Sequence, residues 1–222
     1  MKYSYLKKIK LLKIGLLGFL SLQILVQNAI TVRAEIDYNA EAEARKSLSI
    51  QTNEIENWPQ GPCIGAESAI LMEATTGTIL YAKNIDEQLY PASTTKILTC
   101  LIAAEQAEMN EVVTFSNDAV FSIERGSSNM GMDVGEQITM EQALYGVLVG
   151  SANESANAVA EHIAGTVDSF SKLMNQKAKE LGCKNSNFVN PNGLYNDNHY
   201  TTAYDLATIA RQFLSTDLLC KM

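Results

Sequence analysis

Ser93-Thr94-Thr95-Lys96 places a hydroxyl and an amine three positions apart, and Ser151-Ala152-Asn153 begins fifty-eight residues after Ser93. Acyl transfer without a histidine needs another base beside its serine, because a neutral hydroxyl is a weak nucleophile until something takes its proton. Residues three apart on a helix share a face, with Cβ atoms about 5–6 Å apart, which makes Lys96 the candidate general base for Ser93. That role requires a pKa well below the usual ~10.4, and burial supplies the shift by disfavouring the ammonium form. In the first turn of a helix Ser93 would also lie near free backbone N–H groups and the positive end of the dipole, where an oxyanion is stabilised. Ser151 both accepts and donates, which suits relaying a proton to a departing amine, and Asn153 can hold a peptide amide through its own amide. Neither string is specific alone. S-T-T-K is also an ordinary helix start with a solvated lysine, and S-x-N also a loop with capping serines.

Other chemistries are poorly supported. No G-x-S-x-G elbow occurs, which argues against a Ser-His-Asp hydrolase, and His162 and His199 read as ordinary structural or solvated histidines. Cys63, Cys100, Cys183 and Cys220 lack C-x-x-C spacing, so no metal site is expected. Cys100 falls on an apolar helical pattern and reads as a buried free thiol.

The first residues carry an export signal. Lys2, Lys7, Lys8, Lys10 and Lys13 form a basic start, Ile14 to Val26 an apolar run, and Val32-Arg33-Ala34 a peptidase-type site, so residues 1–34 are expected to be removed on export. The alternative, an uncleaved anchor, needs a longer apolar run of about 20 residues. Removal takes six basic and no acidic residues, leaving 11 Lys+Arg against 25 Asp+Glu, a net charge near −14. Such a balance argues against nucleic acid as a partner and fits a solvated exported protein.

The positioning elements follow from pattern. Residues 35–61 are polar and acidic and read as an N-terminal spacer. Two apolar runs around Thr75-Thr76-Gly77 predict a β-hairpin, and Ile97, Leu98, Leu101 and Ile102 predict a buried helix from about Ser93. Val112–Phe115 suggests a short strand. Thr139 with Gln142 makes a capping box for a helix that reaches Gly150. Further helices are expected at about 154–164 with Gly165 as cap, from an Asp168 N-cap to Leu181, and from a Thr202 cap across 203–214.

Together these segments resemble a known family, the serine D-alanyl-D-alanine carboxypeptidases, which are low-molecular-mass penicillin-binding proteins. The likeness runs through Ser68–Glu73, Leu80–Asn84, Pro91–Ile97, Gly150–Asn153, Asn190-Pro191-Asn192-Gly193-Leu194 and His199–Asp205, about residues 62–215. It implies an α+β fold, a mostly helical part against an antiparallel sheet, with 62–222 an incomplete catalytic domain. It implies Ser93 as the acyl-ester nucleophile, Lys96 as general base, Ser151 as proton relay and Asn153 as substrate-binding residue, with no metal or organic cofactor. The implied partners are a peptidoglycan stem peptide ending in D-Ala-D-Ala, β-lactams that acylate Ser93, and a membrane surface only through a C-terminal anchor.

The family's third motif, Lys-Thr-Gly, occurs nowhere in the 222 residues and is expected beyond Met222, so the chain by itself is expected to fold poorly and react slowly. Two other readings stand beside the main one. A class A β-lactamase shares S-x-x-K but typically carries Ser-Asp-Asn as its second motif, and a non-catalytic wall-binding pseudoenzyme would follow from loss of the third.

Overall fold

The structure, a computed structural model, describes residues 37–222. The signal-peptide reading of 1–34 lies outside the described residues. Internal contacts divide the chain into a first unit ending at Glu43 and a second spanning Ala44–Met222. In the first, the Asp37 carboxylate accepts from the N–H groups of Asn39 and Ala40 at the start of helix α1 (Tyr38–Arg45), which buries no residue.

The second unit is α+β, as expected, but it holds two small sheets where one was anticipated. β1 (Ala69–Met72) and β2 (Ile79–Lys83) form the antiparallel hairpin around Gly77, whose φ of +76° meets the turn's need for a left-handed residue. The Glu73 carboxylate accepts from the N–H groups of Thr75 and Thr76 and from the Thr76 hydroxyl, and these bonds hold its pKa down near about 2. The second sheet pairs β3 (Val112–Thr114) with β4 (Gln137–Thr139), a strand too short to show a period in the sequence.

Residues 44–61, read as spacer, lie along the hairpin. Thr52 is buried and its hydroxyl accepts from Ala82 N, while the Trp58 indole donates to Leu80 O. Lys83 is fully buried, and its ammonium donates to the carbonyls of Arg45 and Ile64, each at 2.7 Å. An ammonium can be buried this way because carbonyl oxygens replace its water. This segment is thus tied to β2 through a buried hydroxyl, an indole and a backbone carbonyl.

Helix α2 (Lys96–Gln106) is the axis of the core: Leu98 to Ala103 are all buried, so it is enclosed on every side. The short α3 (Asn117–Phe121) is capped by Ser116, whose hydroxyl accepts from Ala119 N. Packed around α2 are α4 (Met140–Leu148), α5 (Asn153–Ala164), α6 (Val167–Glu180) and α7 (Ala203–Leu214). α5 buries every residue from Asn153 to Ala160, three of them alanine, and these small side chains allow close approach. The Thr139–Gln142 capping box, the left-handed Gly165 and the Thr202 cap form as read. One cap differs: Thr166, not Asp168, caps α6, its hydroxyl accepting from Ser169 N. Asp168 lies inside the first turn, where its charge faces the positive end of the helix. Cys100 is a buried free thiol whose pKa burial pushes far up.

Candidate active site

Ser93 sits on a single 3-10 turn, Ala92–Thr95, that feeds directly into α2. Ala92 takes φ +48°, a left-handed backbone that costs a non-glycine residue about 1 kcal/mol or more. That turn leaves Ser93 exposed while Lys96, one turn on, is only 2% exposed. Ser93 faces solvent and Lys96 faces protein.

Lys96 Nζ has three acceptors: Ser93 Oγ at 3.2 Å, Asn153 Oδ1 at 2.7 Å and Asn192 O at 2.6 Å. An ammonium has three protons, and each has a partner here. When one proton leaves, two N–H bonds remain for the two carbonyl-type acceptors, which cannot themselves donate. The lone pair is then directed at Ser93, the one neighbour that carries a proton to give. Burial lowers the Lys96 pKa to about 8, against an opposing effect from Glu154, which brings the free amine within reach near neutral pH.

The sequence reading missed Asn192, because a backbone carbonyl leaves no signature in residue type. The Asn190–Leu194 loop presents it. Gly193 N donates to Asn190 Oδ1, Asn190 Nδ2 to Leu194 O, and Asn192 Nδ2 to the buried Asn157 Oδ1. A Cβ on Gly193 would stand 1.8 Å from Ala92 O, and its φ is +82°. Only glycine lets this loop touch the nucleophile's turn.

His199, read as ordinary, is 2% exposed and ties the same loop to α2. Its Nδ1 accepts from Val189 N at 3.1 Å, which leaves the proton on Nε2 to be donated to Thr95 Oγ1 at 2.8 Å. Burial lowers its pKa to about 4, keeping the ring neutral. The Thr99 hydroxyl adds a bond to Pro191 O.

The predicted quartet is three-quarters assembled. Ser93, Lys96 and Asn153 meet directly, and Asn153 Nδ2 has no acceptor among the described residues. Ser151 stands two residues before Asn153 with φ +52°, and its hydroxyl makes no hydrogen bond to any of the three. A cleft of about 400 Å³ exposes Ser93 and Asn153 between Tyr90, Ser127, Ser128 and Tyr195. A larger cavity of about 520 Å³ beyond Asn157 reaches neither Ser93 nor Lys96.

Comparison with known proteins identifies the family. A family model described as D-alanyl-D-alanine carboxypeptidase matches residues 55–220. D-alanyl-D-alanine carboxypeptidase DacF of Bacillus subtilis is 41% identical over 161 residues, covering 70% of this chain and 41% of that protein. DacA of Haemophilus influenzae is 34% identical over 176 residues, covering 77% of this chain and 45% of that protein. Among solved structures, penicillin-binding protein 6B from Escherichia coli superposes with a TM-score of 0.68 at 33% identity, over 73% of this chain and 54% of that one. Penicillin-binding protein 5 from Haemophilus influenzae gives 0.66 at 35%, over 71% and 47%. This chain therefore spans less than half the length of the two curated relatives, and its sequence and fold place it in the D-alanyl-D-alanine carboxypeptidase family.

Proposed function

We propose that this chain carries the acylating centre of an exported serine D-Ala-D-Ala carboxypeptidase acting on peptidoglycan stem peptides. The observation that carries the reading is the Lys96 amine, 3.2 Å from Ser93 Oγ, with its other bonds committed to two fixed carbonyl oxygens. Ser93 Oγ attacks the carbonyl carbon of the penultimate D-alanine as its proton passes to Lys96 Nζ. The C–N bond to the terminal D-alanine then breaks, and the departing nitrogen takes the proton that Lys96 received, relayed by Ser151 once bound substrate brings that hydroxyl into the path. Water hydrolyses the Ser93 ester and restores the hydroxyl. Asn153 Nδ2 is available to the peptide backbone while its Oδ1 stays on Lys96. A β-lactam presents a strained amide to the same serine and opens onto it.

The test is labelling by a fluorescent penicillin of the complete product of the reading frame that encodes these residues, with the adduct mapped by mass spectrometry. Stoichiometric label on the peptide holding Ser93, its loss in Ser93→Ala, and faster turnover of a D-Ala-D-Ala peptide than of the β-lactam are expected. An unlabelled wild type, or label that survives Ser93→Ala, refutes the reading.

A further inference from the structure

The stretch from Ser122 to Met132 has no helix or strand, yet it walls the cleft at Gly126, Ser127 and Ser128. Its attachment to the site is concentrated in the first turn of α5. Asn153 N donates to Ser128 O at 2.9 Å, a cap from across the fold where Ala152 has no side chain to offer. In return, Glu154 Oε1 accepts from Met130 N at 2.6 Å and from Gly131 N at 3.1 Å. Adjacent residues of one turn thus face opposite ways: Asn153 holds Lys96, and Glu154 holds the wall of the cleft.

We propose that Glu154 is a positioning residue for acylation, fastening the 122–132 loop in register with Lys96 so that the cleft has its reactive shape before substrate arrives. This rests on the proposed role of Ser93 and Lys96. Two observations favour a functional over a merely structural role. Glu154 is 1% exposed, and its second oxygen, Oε2, is buried without a partner, an arrangement that costs stability and that an apolar side chain would avoid. Its charge also acts on Lys96. The groups facing that amine are Ser93 from its own turn, Asn153 and Glu154 from α5, Asn192 from the 190–194 loop and Cys100 from α2. With the Cys100 thiol held neutral by burial, Glu154 is the one carboxyl group among them, and it acts to raise the Lys96 pKa.

The sign follows. An anion favours the ammonium form, so removing it lowers the pKa of Lys96 and moves the acid limb of the acylation profile to lower pH. Glu154→Gln keeps an acceptor for the two N–H groups and removes the charge, whereas Glu154→Ala removes both. Penicillin acylation rate against pH, measured on the complete protein with rates scaled to the titratable fraction of sites, separates these effects. Glu154→Gln is expected to shift the acid limb down with a plateau within about threefold of wild type. Glu154→Ala is expected to lose about tenfold or more at the plateau, because misplacing a cleft by an ångström costs rates of that order or larger. A wild-type plateau in Glu154→Ala, or an unmoved acid limb in Glu154→Gln, overturns the proposal. If Glu154→Ala does not fold, the Gln variant decides alone. An unlabelled wild type would instead defeat the reading of Ser93 and leave no acylation for Glu154 to assist.

Discussion

At the scale of single residues, the site depends on contacts that side-chain identity does not announce. Ser93 and Lys96 could be picked out because few residue types can pair a hydroxyl with a base three positions on. The two do not share a face of one α-helix, and it is the 3-10 turn before α2 that brings Lys96 Nζ to 3.2 Å from Ser93 Oγ. Asn192 was not, since its contribution to Lys96 is a carbonyl that any residue possesses. Gly193 carries the more testable consequence. Alanine there meets both a left-handed φ of +82° and the Ala92 carbonyl at 1.8 Å, and neither backbone can yield without disturbing Ser93 or Asn192. Gly193→Ala is therefore expected to cost more than about 2 kcal/mol and to suppress acylation. Denaturant unfolding with penicillin labelling checks it; unchanged stability with normal labelling would show that the loop moves freely from the turn.

At the scale of elements, helices with a long apolar period were readable and their ends were readable where a cap residue stood alone. The exception is instructive. Thr166, Asp168 and Ser169 all suit a helix start, and sequence preference ranks Asp above Thr, yet Thr166 holds the extended backbone and the bond to Ser169 N. The choice is made by Gly165, which ends α5 in a left-handed turn and leaves only Thr166 between two helices. Thr166→Ala is expected to lose about 1 kcal/mol, near 3 °C in Tm for a unit of this size, and Asp168→Asn to lose only a fraction of that. Calorimetry of the two variants distinguishes them; equal losses would contradict the cap assignment. β4 escaped for a different reason, since three residues hold too little alternation to register, and its identity comes from pairing Ile138 with Val113.

At the scale of the whole unit, distant parts of the chain are joined through neutral His199. Its ring meets Phe188 edge-on at 5.6 Å, accepts from Val189 and donates to Thr95 beside the lysine, binding the loop before α7 to the start of α2. Nothing in a polar loop sequence distinguishes such a histidine from a solvated one. Its depressed pKa, about 4 against an ordinary 6.5, makes the union sensitive to acid. Between those values the unfolded chain binds a proton that the folded chain refuses, so stability is complete above pH 6.5 and falls as pH drops toward 4. The full difference is between about 3 and 4 kcal/mol at 1.36 kcal/mol per pKa unit. Gln in place of His199 keeps an acceptor and a donor but cannot titrate. Urea unfolding between pH 7.5 and 4.5 should show His199→Gln less stable than wild type at the upper end, with the gap narrowing through pH 6 and 5. A gap that stays constant with pH would mean that His199 protonates equally well folded and unfolded, and that the acid sensitivity of this junction lies elsewhere.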